Sequence, residues 1–331
     1  MNKKKDITNQ KTRACTRTHT HTHTHTLYLT SLKLYTPLSH TQLKMSKDPN
    51  ILYSITHDIH ETPACDIPDL QEATVYKRPS VSIKSPYVAD IFYFCKEENC
   101  EYEALAHTPS LGCCGLCDKD STVLVVKSAN KDAKCDYVIY LSIVRSSSPE
   151  TNTIVATHPK LAEKCVESAL RRGMFSWMGG KADMLKKEYS LKIPGAVDSR
   201  FDFCGVDGNN VPFILEVKSV PLVLHNTDGT NTAYFPEGYR KKKGDVVSER
   251  ALKHVRELEW LKLNNPEQRY ILCFVVQRDD IIEFTTSITD PEYKMAVKKA
   301  HNNGVEIFAV SVKWYKNGTG YLANDSLPLR L

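Results

Sequence analysis

The sequence predicts an α/β protein built from two folded parts. Short runs rich in Val, Ile and Tyr between residues 75 and 150 favour a small antiparallel barrel or sandwich. From residue 151 to residue 331, helical and strand-like segments alternate, which indicates an α/β domain with a mixed sheet. Residues 1–74 show neither pattern, and we expect a disordered leader and linker there.

The first 47 residues differ in composition from the rest of the chain. They hold nine Lys or Arg and one acidic residue, Asp6, so the remainder carries a net charge of −3 within a total of +5. The alternation THTHTHTHT at Thr18–Thr26 fits an in-frame dinucleotide repeat, which indicates translated upstream sequence with Met45 as the natural start. A mitochondrial transit peptide is the alternative, and we do not favour it. Nucleic-acid binding by the folded part must therefore depend on local basic patches.

Composition also bears on the compartment and on metals. The chain has no apolar run of about 18 residues, so no membrane span is expected, and no signal-peptide core follows the basic start. Eleven irregularly spaced cysteines favour reduced thiols in an intracellular, cytoplasmic or nuclear protein. A confident zinc site needs two well-spaced pairs. Zinc is not expected, because only one CxxC spacing occurs in the group Cys95, Cys100, Cys113, Cys114 and Cys117.

Each element of the two parts has its own local pattern. The strand-like runs of the first part are VSIKSPYVADIFYF, EYEALAH, STVLVVKS and DYVIYLSIV. The period becomes helical at residues 158–175, where one face holds Leu161, Cys165, Ala169 and Leu170. The strands RFDFCG, PFILEVKSV, RYILCFVVQ and VEIFAVSVKW then alternate with the helices SERALKHVRELEWLKL and PEYKMAVKKAHNN.

The strand PFILEVKSV carries two opposite charges inside an otherwise apolar run. Side chains at positions i and i+2 of a strand point to the same face, so Glu216 and Lys218 share one face. Leu215 and Val217 then fill the other face. Charged side chains are rarely buried unless they are paired or bind a metal.

The turn GVDGNNV decides whether Asp202 joins these two residues. With a three-residue loop at Gly208–Asn210, Asp207 pairs with Val211 and Asp202 lies opposite Glu216. With a two-residue loop, Asp202 points to the other face unless a bulge corrects it. Both geometries are open at this stage.

Two carboxylates and a lysine at one point have a chemical use. Carboxylate oxygens bind Mg²⁺ or Mn²⁺, which joins water to a substrate phosphate, and a lysine positions the water or offsets negative charge. The alternative is an ion pair of Lys218 with Glu216 or Asp202 on a solvated sheet face. For an isolated D…ExK pattern, that ion pair is the commoner outcome.

The wider context resembles the sugar fermentation stimulation protein (SfsA) family. The resemblance rests on SRFDF…FILEVKSVPL, AYFPE, ALKHVREL, CFVVQRDDIIEF and DPEYKMAVKKAHNNGVEIFAV. It extends from Arg78 to the end, with RPSVSIKSPYVADI and HTPSLG as a divergent first domain. It implies an OB-like small β-barrel at residues 75–150, a restriction-endonuclease-like domain of the PD-(D/E)xK type at residues 151–331, and DNA binding.

The resemblance also implies roles for single residues. By position, Asp202, Glu216 and Lys218 match the nuclease motif, with both carboxylates on Mg²⁺ and the lysine orienting water. Glu188 lies where such folds often place an acidic metal ligand on the first helix. Gln277, at the end of CFVVQ, either assists at the same site or is a polar strand end.

Basic residues supply candidate contacts to nucleic acid. The segment EGYRKKKGDVVSE is longer than the family's connection at this point, and it either clamps a phosphate backbone or forms a solvated loop. Its cations are Arg240, Lys241, Lys242 and Lys243. Lys253 either faces the substrate or pairs with Glu257 at i+4 on its helix. The sequence thus predicts a DNA-binding protein with a magnesium-dependent nuclease site, and the alternative is a non-catalytic DNA-binding or regulatory protein that retains the fold.

Overall fold

The structure is a computed structural model, and it describes the chain from residue 62 onward with short gaps. The described ranges are 62–95, 98–109, 113, 115–130, 132–145, 152–237 and 247–331. All of them belong to one unit by their contacts, Ser54–Leu331. No helix in these ranges is long and apolar enough to cross a membrane.

The first sheet closes into a small barrel. Its strands are β1 (Gln71–Lys77), β2 (Val88–Cys95), β3 (Cys100–His107), β4 (Thr122–Lys127), β5 (Tyr137–Val144) and β6 (Thr153–Ala156). The order is β3-β2-β1-β4-β5-β6, and a parallel pairing of β3 with β5 closes the first five strands. Closure removes the free sheet edges, and this five-stranded arrangement is that of an OB-like barrel. The predicted OB-like barrel is confirmed.

Strands and helices alternate in the second part. Its strands are β7 (Asp183–Ile193), β8 (Val197–Val206), β9 (Pro212–Val220), β10 (Val223–His225), β11 (Asn231–Phe235), β12 (Arg269–Val276), β13 (Glu283–Thr286), β14 (Glu306–Trp314), β15 (Gly320–Asn324) and β16 (Leu329–Arg330). The main sheet has the order β15-β14-β12-β9-β8-β7, and a smaller sheet has the order β10-β11-β13-β16. The main sheet is mixed: β12 runs parallel to β9 and β14, whereas β7, β8 and β9 are antiparallel. The predicted α/β architecture with a mixed sheet is confirmed.

Three helices cover this sheet: α1 (Lys160–Arg172), α2 (Glu249–Asn264) and α3 (Pro291–Asn302). The predicted face of α1 is buried, and the helix ends at Gly173, whose φ of 69° is the left-handed conformation typical of a helix C-terminus. At the start of α2, the Ser248 side chain accepts a hydrogen bond from the Ala251 N–H.

The two faces of the main sheet belong to different hydrophobic cores. One core joins α1 and the sheet to the barrel, and it includes Leu215 and Val217 of β9. The other packs α2 and α3 on the opposite face and includes Ile214 and Val220. Because strand side chains alternate, β9 presents its odd-numbered residues to α1 and its even-numbered residues to α2.

Part of the predicted linker has a regular place in the fold. Ala64, Cys65 and Ile67 are buried against the first core, and Gly320 exchanges backbone hydrogen bonds with Ala64 and Cys65. The strand β1 also begins at Gln71, inside the range expected to be disordered. Periodicity could not reveal this segment, because backbone pairing to a distant strand holds it. The domain boundaries themselves stay a prediction.

The strand β7 forms one edge of the main sheet. Met184 and Glu188 on this strand have φ angles of 50° and 51°, in the left-handed region that residues with a side chain rarely adopt. The pairing of β7 with β8 also shifts register between Asp183 and Lys186. The edge is therefore irregular next to the strand that carries Asp202.

Candidate active site

The β8–β9 hairpin has the three-residue loop that brings Asp202 to Glu216. The Asp207 N–H donates to the Val211 carbonyl over 2.9 Å, and Phe203 pairs with Leu215. In that register, Asp202 is the next residue of β8 and Glu216 the next of β9. Of the two loop lengths that the sequence left open, the structure has the three-residue loop, Gly208–Asn210.

The strands separate at Asp202. Phe201 belongs to the core under α2 and Phe203 to the core under α1, so the alternation of β8 changes between them. The regular pairing of β8 with β9 ends at Phe203. Instead of a backbone partner, the Val217 N–H donates to Oδ2 of Asp202 over 2.7 Å. The Asp202 carboxylate therefore occupies the point where the ladder opens.

Glu216 is buried and only partly satisfied. Its side chain is 4% exposed, and its Oε1 accepts hydrogen bonds from Nζ of Lys218 and Nδ1 of His254. Its Oε2 is buried and has no hydrogen-bond partner among the described residues. A buried carboxylate oxygen without a partner is costly, so this atom is available to a ligand.

The two carboxylates respond differently to burial. Burial raises the pKa of Asp202 to about 7, and the nearby negative charge of Glu216 adds to the rise. Burial also acts to raise the pKa of Glu216, but Lys218 and His254 outweigh it and hold that pKa below its ordinary value. The pKa of Asp202 is thus raised and that of Glu216 lowered, although the two carboxylates lie on adjacent strands of one hairpin.

A cavity of about 300 Å³ opens beside these residues. Asp202, Glu216 and Lys218 line it together with Lys160 and Glu163 of α1. No group of three or more His, Cys, Asp or Glu in the described part of the chain is arranged as a metal cluster. Two carboxylates are sufficient for Mg²⁺, which usually keeps several waters and binds through one or two of them.

Glu188 reaches the same cavity from an unexpected element. It lies on β7 and not on the first helix, so the expected helical placement is wrong. Lys187 and Tyr189 pair with Phe203 and Phe201, which puts Glu188 beside Asp202 across the sheet. Its carboxylate is 51% exposed and contacts Lys160 and Arg200 at 3.8 and 3.3 Å. Its role as a metal ligand stays a prediction.

Gln277 does not reach this cavity. Its Oε1 accepts a hydrogen bond from Nε1 of Trp314 over 3.0 Å, and its Nε2 donates to Ser219 over 3.4 Å. Trp314 belongs to the core under α1, whereas Glu216 and Lys218 point to the other face. The expectation that Gln277 assists at the site is not met, because β12 turns this residue to the opposite face.

The candidate nucleic-acid contacts divide into two groups. Arg240, Lys241, Lys242 and Lys243 lie outside the described residues. Lys253 is half-exposed on α2, and its Nζ lies 3.7 Å from Glu257, as the i+4 alternative predicted. It lines a second cavity of about 370 Å³ next to the first.

Three further residues lie near the site. Glu163 lies in the first turn of α1 and lines the cavity. His254 is buried below Glu216, and its spacing from Ala251 and Leu258 is the signal that places it on the inner face of α2. Arg250, in the first turn of α2, lines both cavities.

The cysteines considered for zinc belong to the barrel. Cys95 and Cys100 are directly opposite each other at the ends of β2 and β3. Cys113 and Cys117 are buried, and the Cys113 thiol donates to the Thr157 carbonyl over 3.2 Å. Cys114 lies outside the described residues. The sequence-based view on zinc stays a prediction.

The fold and the site define an α/β protein in which a small barrel precedes a mixed sheet with a carboxylate–lysine hairpin. A family model described as "Sugar fermentation stimulation protein RE domain" matches residues 160–318. Over its second part the chain is similar to the sugar fermentation stimulation protein family, in agreement with the resemblance predicted from the sequence.

Relatives match different shares of the chain. A sugar fermentation stimulation protein homolog of Thermosynechococcus vestitus is 27% identical over 227 residues, covering 68% of this chain and 85% of that protein. One of Pseudomonas fluorescens is 35% identical over 151 residues, covering 46% and 56%. The structure of Pyrococcus furiosus SfsA in complex with Ca²⁺ is similar with a TM-score of 0.62 and 18% identity, over 82% of this chain and 100% of that one. This last similarity establishes the fold alone.

Proposed function

We propose that the protein binds DNA and hydrolyses phosphodiester bonds in a magnesium-dependent reaction at Asp202, Glu216 and Lys218. One observation carries the proposal: the buried Oε2 of Glu216 has no partner among the described residues, and Asp202 lines the same cavity as Glu216. A solvated ion pair on a sheet face, the alternative for this motif, would leave no such atom.

The residues present fit a hard divalent cation. Oxygen ligands suit Mg²⁺ or Mn²⁺, and Asp202 and Glu216 would hold the ion, with Glu188 as a further candidate at the rim. A bound cation would offset the two causes that raise the pKa of Asp202, which are burial and the negative charge of Glu216. The P. furiosus relative was described with Ca²⁺, another cation with oxygen ligands.

The chain's own residues would prepare the reaction. A bound magnesium ion makes a coordinated water more acidic and offsets charge on a phosphate oxygen. His254 fixes the orientation of the Glu216 carboxylate, and the Val217 N–H fixes that of Asp202. Lys218, 11% exposed beside Glu216, would donate to the attacking water or to a phosphate oxygen.

A phosphodiester substrate is favoured by the cations around the cavity. Lys160, Arg200 and Arg250 line it together with Lys218. Lys and Arg side chains make most of the contacts that position a protein on a nucleic-acid backbone. The four lysines and arginines of residues 240–243 precede α2 in the sequence and would add to this set.

A second candidate is a non-catalytic DNA-binding protein that retains the site. It is favoured by the bonds of Lys218 and His254 to the same oxygen of Glu216, because such a network also suits a structural role. Retention of the three motif residues favours catalysis, but it does not require turnover.

Cleavage assays separate the two candidates. Purified full-length protein is incubated with plasmid and linear DNA in Mg²⁺, in Mn²⁺ and in EDTA. We expect cleavage only with a divalent ion, and a loss of about 100-fold or more in Lys218→Met, which keeps the apolar stem. Lys192→Ala is the matched control, because Lys192 is 75% exposed on β7 and its single ion pair among the described residues is with exposed Asp198.

The outcomes point in different directions. Binding without cleavage by the wild type would support the second candidate. Equal cleavage by the wild type and Lys218→Met would remove the enzymatic proposal. A melting curve for Lys218→Met verifies that the variant is folded, since Glu216 loses a partner in it.

A further inference from the structure

The charges around the cavity form pairs with two exceptions. The cavity is lined by four basic and four acidic side chains: Lys160, Arg200, Lys218, Arg250, Glu163, Glu188, Asp202 and Glu216. Lys160 pairs with Glu163 at 3.0 Å, Arg200 pairs with Glu188 at 3.3 Å, and Lys218 pairs with Glu216. The two side chains left without an ion pair to any described residue are Asp202 and Arg250.

Both exceptions are open to ligands of opposite charge. Asp202 is the carboxylate assigned above to a divalent cation. The side chain of Arg250 is exposed, and it makes neither a hydrogen bond nor an ion pair with any residue in the described ranges. A guanidinium group is always charged and presents a planar fork of donors that matches two oxygens of a phosphate.

The position of Arg250 indicates where such a phosphate would lie. Arg250 and Arg200 line both the cavity with Asp202 and the second cavity, where Lys253 lies. Arg200 forms an ion pair with Glu188, so a phosphate would have to compete with that carboxylate. Between the two cavities, Arg250 can bind a phosphate without breaking an ion pair to any described residue. A backbone passing from one cavity to the other must pass Arg250.

We propose that Arg250 binds a backbone phosphate of the nucleic-acid substrate and thereby positions the adjoining phosphodiester at Asp202 and Glu216. The inference rests on the proposed function, since it names the substrate group that this cavity recognises. The contact is to phosphate and not to a base, so it strengthens binding of every sequence equally. It also needs no metal.

Binding measurements in EDTA test the contact apart from cleavage. Fluorescence anisotropy is recorded with two labelled DNA duplexes of unrelated sequence, at several salt concentrations. We expect Arg250→Ala to weaken binding of both by about tenfold and to reduce the salt slope by about one phosphate contact. Arg250→Lys should recover part of the affinity, because it keeps the charge and loses the fork.

Arg256→Ala is the matched control on the same helix. Arg256 is similarly exposed but pairs with Glu292 in a groove between α2 and α3, so we expect wild-type binding. An unchanged affinity and salt slope in Arg250→Ala would overturn the inference, and so would an equal loss in both variants. If Arg250→Ala weakens binding but the wild type does not cleave, the inference stands and the nuclease proposal fails. If the wild type binds neither duplex, both fail.

Discussion

Two groups of charged side chains lie on the β8–β9 hairpin, one at its loop and one where the pairing of the two strands ends, and they are satisfied to different degrees. Near the loop, Asp207 is ion-paired with Arg269 at 2.8 Å and accepts hydrogen bonds from the Asn209 and Val211 N–H groups. Arg269 also pairs with Glu306 at 2.6 Å. At the other end, Asp202 has a single backbone donor and Glu216 keeps an oxygen without a partner among the described residues.

The pKa values of the two aspartates follow this difference. Burial acts to raise the pKa of Asp207, but its backbone hydrogen bonds and Arg269 outweigh it and lower that pKa. The pKa of Asp202 rises to about 7 because burial and the negative charge of Glu216 outweigh the opposing effects of Lys218 and the Val217 N–H. On this hairpin, the number of hydrogen-bond and ion-pair partners of a carboxylate, and not its burial, thus distinguishes the structural ion pair from the candidate site.

The largest effect should follow from breaking the satisfied group. Asp207→Ala leaves Arg269 without this partner and removes the acceptor that holds the loop, so we expect a loss of about 3–5 kcal/mol in the free energy of unfolding. Urea denaturation measures this loss. Asp207→Asn keeps the loop acceptor and should lose less. A loss below 1 kcal/mol in Asp207→Ala would show that this ion pair contributes little.

A substitution at Asp202 is expected to raise the free energy of unfolding instead of lowering it. A carboxyl group with a pKa near 7 when folded and an ordinary value of 3.8 holds more protons in the folded state, so stability falls as pH rises between those values. Asp202→Asn keeps an oxygen for the Val217 N–H and removes the charge. We expect Asp202→Asn to raise the free energy of unfolding by about 2 kcal/mol at pH 8 and to change it little at pH 3.5. The full difference between the two pKa values would correspond to about 4 kcal/mol, which is the upper limit of this effect. Melting curves at both pH values measure the difference, and an equal gain at both would contradict the assigned cause.

A divalent cation should complete the unsatisfied group. Ca²⁺ at ten times its dissociation constant should stabilise the wild type by about 1.4 kcal/mol. The shift should be larger at pH 8 than at pH 5.5, because protons compete for Asp202 below a pKa of about 7. Differential scanning fluorimetry with and without Ca²⁺ measures it. A shift of the same size in Asp202→Asn would place the ion elsewhere.

The smallest effect is expected from an ion pair near the site whose lysine is half-exposed. Lys253 lies 3.7 Å from the buried Glu257, which keeps the Asp198 N–H as a donor when the lysine is removed. Solvent screening of the lysine limits the contribution of such a pair to about 1 kcal/mol. Lys253→Ala should therefore change the melting temperature by a few degrees at most. If the loss approached that of Asp207→Ala, the contrast between this pair and the Asp207–Arg269 pair would not hold.

Local rules were sufficient to predict the hairpin, but not the length of its loop. The turn GVDGNNV gave two loop lengths, and strand alternation then fixed which residues share a face in each case. The loop at Gly208–Asn210 satisfies the geometry that places Asp202 beside Glu216. The helix at residues 158–175 was equally accessible, since its apolar spacing and Gly173 mark its face and its end.

Residues placed by long-range pairing could not be predicted in the same way. The face of Gln277 depends on the register of β12 against β9, which is a contact between strands far apart in the sequence. Glu188 was assigned to the first helix from the family resemblance, yet pairing with β8 makes that segment a strand. The Glu216–His254 hydrogen bond needs the docking of α2 on the sheet, which no local pattern gives.

The left-handed turn of the backbone at Glu188 has a consequence for the sheet as a whole. A regular outer strand offers a row of free N–H and C=O groups on which another chain can extend the sheet. On β7, the left-handed residues Met184 and Glu188 and the shifted pairing interrupt that row, and Lys186, Lys187 and Lys192 add positive charge along it. We therefore expect Glu188, at the rim of the cavity, also to protect the protein against edge-to-edge aggregation.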